Sequence, residues 1–196
     1  MEEPCTRAAK RCGWAQIDPL LGEYHDKEWG VPVHDDLKLF EFLILEGAQA
    51  GLNWLIILKK RDAFRTAFKG FNPKKIAKFS SADVRRLLAN KEIIRNRLKI
   101  NATVTNARQF VSVQKEFGSF NDYVWQFVGG KPIKHRFRSM GSIPGKSKES
   151  DRMSEEMKGR GFKFVGSTIC YAFMQATGMV NDHVTNCFRY SEVSSL

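Results

Sequence analysis

Four side chains able to ligate a metal stand in two pairs, one near each end of the chain. Cys12 and His25 are 13 positions apart, while three residues separate His183 from Cys187, a one-turn helical step or a tight loop. Two thiolates and two imidazoles make a closed tetrahedral set suited to structural zinc, with no open position for an activated water. One ion there would tie the N-terminal segment to the C-terminal one. Neither half carries a local CxxC. On spacing alone the plainer reading, two buried thiols and two ordinary histidines, weighs more. Cys5 reads as a thiol in a loose leader and Cys170 as a core thiol, and His34 and His135 read as surface or loop histidines.

A second constellation gathers between residues 14 and 54, where Trp14, Tyr24, Trp29 and Trp54 surround Glu46 in sequence. Glu46 closes an apolar helix, and a carboxylate there is either solvated at the helix end or buried with a partner. Aromatic side chains at such positions are usually core. Their company with Glu46 and with the loop Gly47-Ala-Gln-Ala-Gly-Leu-Asn53 favours a slot, because two glycines let backbone approach a ligand closely. Ring faces and an anion both favour a flat cation. That describes a ligand's chemistry without naming it.

A third feature is the run Leu87 to Ile100, a short turn between two helices with Arg95, Arg97 and Lys99 just beyond it. A helix N-terminus there would accept a phosphate of the nucleic-acid backbone whatever the base sequence. A solvated basic helix would read the same way, and the turn lacks the glycines of a strong helix-hairpin-helix element.

The elements that must position these residues are helices. Asp35-Asp36 supply caps for a mostly buried helix over Leu37–Glu46. Another spans Trp54–Phe68 and closes at Gly70, and Asn72-Pro73 opens a short one. Serine-capped Ser81–Leu88, the long segment Asn96–Phe117 and Phe120–Phe127 follow. Residues 129–148, rich in Gly, Pro, Ser and Lys, read as a mobile connection, after which helices run from Ser150-Asp151 to Lys158 and over Phe164–Thr177. No period-2 alternation persists, so no sheet is expected. The fold class is all-α: residues 11–190 form one domain of two helical lobes sharing a core, between a loose leader (1–10) and a tail (191–196).

Bulk properties narrow the partners. A chain of 196 residues with 42% apolar content suits one soluble domain, and no apolar stretch is long enough to cross a membrane. The start is acidic and polar, unlike a secretory signal, which points to an intracellular protein with reduced thiols and, by default, a monomer. A net charge of +11 favours a polyanion, and nucleic acid leads. A nucleobase deaminase would need an HxE with a PCxxC pattern, and neither is present.

Several runs resemble the 3-methyladenine DNA glycosylase I family. They are Arg11-Cys-Gly-Trp14, Asp18-Pro-Leu20, Tyr24-His-Asp-Lys-Glu-Trp-Gly-Val-Pro32, Leu45-Glu-Gly-Ala-Gln-Ala-Gly-Leu-Asn-Trp54, Ile93-Ile-Arg-Asn-Arg97, Arg160-Gly-Phe-Lys-Phe-Val-Gly166 and Gly178-Met-Val-Asn-Asp-His183. The resemblance covers residues 11 to 188 in order. It implies a helix-hairpin-helix glycosylase fold, with zinc on Cys12, His25, His183 and Cys187. It implies a base pocket of Glu46, Trp54 and Tyr24 walled by Trp14 and Trp29, and a hairpin that grips the DNA backbone near Arg95, Arg97 and Lys99. The implied activity is removal of 3-methyladenine from double-stranded alkylated DNA, releasing the free base, without the catalytic aspartate of other helix-hairpin-helix glycosylases. Where relatives carry a further pocket tyrosine, this chain has Leu21.

Overall fold

In the computed structural model, residues 10–196 are described; Cys5 and the rest of the expected leader up to residue 9 lie outside them. Ten α-helices dominate these residues: α1 Pro19–Lys27, α2 Asp36–Gln49, α3 Trp54–Ala67, α4 Pro73–Ile76, α5 Ser81–Ala89, α6 Arg97–Phe117, α7 Phe120–Trp125, α8 Lys148–Gly159, α9 Ser167–Ala176 and α10 Phe188–Ser194. Most begin at a cap written in the sequence. The side chains of Asp18, Asp35, Asn53, Asn72, Asn96 and Ser119 each accept a backbone N–H of the first turn they precede. Ser80 with Asp83, and Ser147 with Ser150, close reciprocal capping boxes on α5 and α8. The α5 cap is therefore Ser80 rather than Ser81.

The centre is α2. Every residue from Leu39 to Ala48 is buried, so this helix is wrapped on all sides by α3, α6, α7 and α9. Phe40 meets Phe110 edge-on at 4.9 Å, and Phe110 stacks on Phe120 at 4.1 Å. Burial of each such side chain contributes roughly 1.5–3 kcal/mol. The one carboxylate in the middle of this helix, Glu41, is compensated. It accepts from Arg61 and Arg65 of α3, while the Arg61 guanidinium forks onto Glu28 at 2.8 and 2.9 Å. Burial would raise the Glu28 carboxyl, but Arg61 holds it below its ordinary value. The network pins the end of α1, the middle of α2 and the body of α3 together, and each of these helices carries a side chain of the site.

Four local expectations change. Helix α1 occupies the stretch between Trp14 and Asp35, for which the sequence analysis gives no element, and Asp18-Pro19 supplies both its cap and a proline at the first helical position. The tail is helical as far as Ser194 in α10, and Val193 is buried. Residues 129–148 are pinned rather than free. Ile133–Lys134 (β1) pairs in parallel with Val180–Asn181 (β2), a two-residue ladder in an otherwise helical chain, and Lys134 Nζ donates to the Ser194 carbonyl. Helix α9 starts at Ser167, because Phe164 sits at φ +55° just ahead of it. The turn after α9 depends on Gly178. It has φ +69°, and a Cβ there would lie 2.4 Å from Pro32 N and from the Val31 carbonyl carbon. No helix among the described residues is long and apolar enough to cross a membrane.

Candidate active site and metal centre

Helix α1 presents two adjacent residues to two different places. His25 turns to a cluster with Cys12, His183 and Cys187, all four buried, whose ligand atoms lie within 4.8 Å of one another. His25 Nε2 is 3.4 Å from Cys187 Sγ, and His183 Nδ1 is 3.7 Å from both sulfurs. Such separations suit four ligands about 2.0–2.3 Å from one central ion. The outer nitrogen of each ring is also held. His25 Nδ1 meets Asp26 Oδ1 at 2.8 Å, Asp26 receives the Arg11 guanidinium, and His183 Nε2 donates to the Trp29 carbonyl at 3.1 Å. Partners of this kind fix ring orientation and tautomer at metal sites. The cluster can hold a metal ion, and it joins residues as far apart as 12 and 187.

Tyr24, one residue earlier, faces a cavity of about 470 Å³. Trp14, Tyr24, Trp29, Glu46 and Trp54, drawn from four separate stretches of chain, all line it. Tyr24 packs against Trp54 with ring centroids 5.4 Å apart. Trp14 meets Trp29 at 5.2 Å and His25 at 5.4 Å, both edge-on, and Trp29 meets His183 at 4.6 Å. Two walls of the cavity therefore rest directly on the imidazoles of the cluster that could hold a metal.

Glu46 lies in the last turn of α2, which runs on to Gln49, so the carboxylate is not at the helix end. It is 4% exposed, and no hydrogen bond or ion pair from a described residue reaches it. Burial alone pushes its pKa up to about 8. Tyr24 is raised well above its ordinary value by burial and then by Glu46 nearby. The indole N–H of Trp54 is buried without an acceptor among the described residues. Glu46 is the only carboxylate lining the cavity among the described residues, and no lysine lines it.

Gly47 has a different use from the one its sequence suggested. It packs against the bend before α9, where a Cβ would sit 3.4 Å from Phe164 Cβ, and it does not line this cavity, while Gly51, at φ +76°, makes the turn into α3. Leu21 does line the cavity. So do Met140 and Ile143 from the segment read as a connection, and Gln175 from α9. Nothing in their spacing announces them, since they arrive through pairing of β1 with β2 and packing of α9 on α2.

The basic hairpin is divided. Arg95 and Arg97 are exposed at the turn before and at the start of α6. Lys99 points inward, and its ammonium donates to the carbonyls of Ala48 and Ala50 at 2.8 and 2.6 Å, with its pKa lowered by burial. It caps the C-terminus of α2 instead of facing solvent. His34 stacks on Trp125, His135 reaches the buried Asp182, and Cys170 is a core thiol.

Residues 14–190 match the family described as methyladenine glycosylase. The chain belongs to that family. It is 49% identical over 181 residues to DNA-3-methyladenine glycosylase 1 of Escherichia coli (strain K12), covering 92% of this chain and 97% of that protein. The corresponding enzyme of Haemophilus influenzae is 45% identical, over 90% of this chain and 96% of its own. A crystal structure of a 3-methyladenine DNA glycosylase I superimposes with a TM-score of 0.89 at 51% identity, covering 91% and 98% of the two chains. The Staphylococcus aureus enzyme, whose structure concerns 3-methyladenine recognition, gives 0.89 at 34% identity over 92% and 96%.

Proposed function

We propose that this chain is a monofunctional base-excision enzyme that hydrolyses the N-glycosidic bond of 3-methyladenine in alkylated double-stranded DNA. The observation that carries the reading is Glu46, a buried carboxylate with no donor among the described residues, set in a cavity walled by Trp14, Tyr24, Trp29 and Trp54. A carboxylate held this way lacks a counter-charge, and a flat cation supplies one while stacking on the rings. Methylation at N3 makes adenine such a cation and weakens its bond to the sugar.

The exposed Arg95 and Arg97 and the N-terminus of α6 would hold the DNA backbone, in a helix-hairpin-helix arrangement. Extruding the damaged nucleotide into the cavity costs about a few kcal/mol. Tyr24 and Trp54 stack on the base and Glu46 accepts hydrogen bonds from its edge. The base departs neutral, water adds to the anomeric carbon and releases its proton to solvent, and an abasic site remains. The absence of lysine from the lining disfavours a Schiff-base intermediate and strand cleavage. Leu21, in place of a hydroxyl-bearing residue, keeps the stacking surface and removes one hydrogen bond to the base.

The donor set of Cys12, His25, His183 and Cys187 fits zinc, which would be held by four protein ligands as a structural staple beneath the pocket walls. The catalytic surface belongs to the chain itself.

Release of free base from methylated duplex DNA, resolved by chromatography, tests the reading. The expected product is 3-methyladenine with intact strands. No release by folded, metal-loaded protein would leave a DNA-binding protein without catalysis.

Lys99 provides a separate check on the hairpin. Lys99→Met should lower stability by about 1–2 kcal/mol, by freeing the α2 carbonyls, and leave the slope of log K against log salt for DNA unchanged. Arg97→Ala should leave stability within about 0.5 kcal/mol and reduce that slope by about 1. Titrations of DNA affinity against salt, with chemical denaturation, distinguish the two roles.

A further inference from the structure

Asp182 lies next to the metal-ligating His183, yet it bonds elsewhere. It is buried to 1% exposure and accepts three donors. His135 Nδ1 donates to Oδ1 at 2.6 Å, while the Tyr171 hydroxyl and Gln175 Nε2 donate to Oδ2 at 2.7 and 2.8 Å. Of these donors only Gln175 lines the base cavity. A carboxylate accepts and does not donate, so it decides which end of the Gln175 amide faces it. The NH₂ group is committed to Asp182, and the carbonyl oxygen takes no hydrogen bond from any described residue.

We infer that Asp182 is a positioning residue that locks the Gln175 amide with its carbonyl oxygen presented to the bound base, making Gln175 a specificity-determining acceptor for the exocyclic amine of the adenine. The inference rests on the reading of the cavity as a 3-methyladenine pocket. The amine carries two hydrogens, and Glu46 and Gln175 are acceptors on the two packed helices α2 and α9. A base with an oxygen at that position would set its own lone pairs against this acceptor. Such a clash rejects the wrong base more strongly than lost contact area does. Tyr171 and His135 complete the donor set, so the carboxylate that orients the amide is itself held at both oxygens.

The test is binding of two free bases, 3-methyladenine and its 6-oxo counterpart 3-methylhypoxanthine, by calorimetry on the metal-loaded protein. The wild type should prefer the amine. Gln175→Met keeps the side chain's length and removes the amide. It should weaken 3-methyladenine about tenfold and leave the 6-oxo base unchanged or tighter, collapsing the preference. Asp182→Asn, which no longer dictates the amide's orientation, should reduce the preference in the same direction with metal content unchanged. Equal weakening of both bases by Gln175→Met, or an intact preference in that variant, overturns the assignment of Gln175 while the pocket reading stands. Failure of the wild type to bind 3-methyladenine overturns the pocket reading and this inference together.

Discussion

Glu46→Ala should lower kcat/KM for 3-methyladenine release by about 10²-fold or more, because it removes the charge-assisted hydrogen bonds proposed between Glu46 and the base in a ring-lined cavity. Glu46→Gln, which keeps shape and loses charge, should fall between the variant and the wild type. The pH dependence carries the sharper signature. With its pKa pushed up to about 8 by burial, Glu46 is largely neutral in the free protein at pH 6 and largely ionised at pH 9. Only the ionised form neutralises a cationic base, so kcat/KM should rise with pH through about 8 and then level. In Glu46→Gln that rise should vanish. Wild-type rates independent of pH between 6 and 9, or normal excision by the alanine variant, would remove Glu46 from the mechanism.

The same shift acts on stability with the opposite sign. Between about pH 4.5 and 8 the folded protein keeps a proton on Glu46 that the unfolded chain has released. Stability conferred by that proton is present below the unfolded pKa and declines as pH rises toward 8. Glu46→Gln should therefore be more stable than the wild type at pH 8, by about 1–3 kcal/mol, with the difference shrinking at pH 5. A variant gaining stability while losing activity is the expected mark of a group kept for function.

His183→Ala is the second change of large effect. It removes one of four buried side chains that could hold a metal ion, and the free energy of binding a structural metal is folding free energy. We expect loss of the metal and a drop in stability of about 3 kcal/mol or more, which lowers Tm by about 6–12 °C in a domain of this size. The pocket should suffer as well, because Trp29 packs edge-on against His183 at 4.6 Å and Trp14 against His25. Affinity for the free base should then fall even below the melting transition. Atomic absorption on the purified variant, paired with a thermal scan, decides the matter. Full metal content with an unmoved Tm would mean that the four residues are not a ligand set.

How much of this was legible beforehand depends on the range of each interaction. The starts of α2, α3, α4 and α6 follow from Asp35, Asn53, Asn72 and Asn96, because a cap acts over three residues and needs nothing from the rest of the chain. The mostly helical body, the basic charge and the residue types of a zinc-like donor set are equally local properties. The sequence motifs placed Glu46, Tyr24, Trp14, Trp29 and Trp54 together, and they share one cavity. The start of α1 is local as well, since Asp18 caps it and Pro19 opens its first turn.

Other features exist only once distant segments meet. That no described residue donates to Glu46 depends on every helix around it at once. That Lys99 turns inward depends on two carbonyls some 50 positions away, so its charge alone made it look like a phosphate ligand. Met140 and Ile143 reach the pocket because a two-residue ladder joins segments 133–134 and 180–181, which no periodicity could signal. The Cys/His cluster likewise closes over separations of 162 and 171 positions. Helix starts, composition and donor types could be read from the chain because backbone caps and side-chain chemistry are local. Burial, pKa and the lining of the cavity were settled by packing, since desolvation is set by all the neighbours at once.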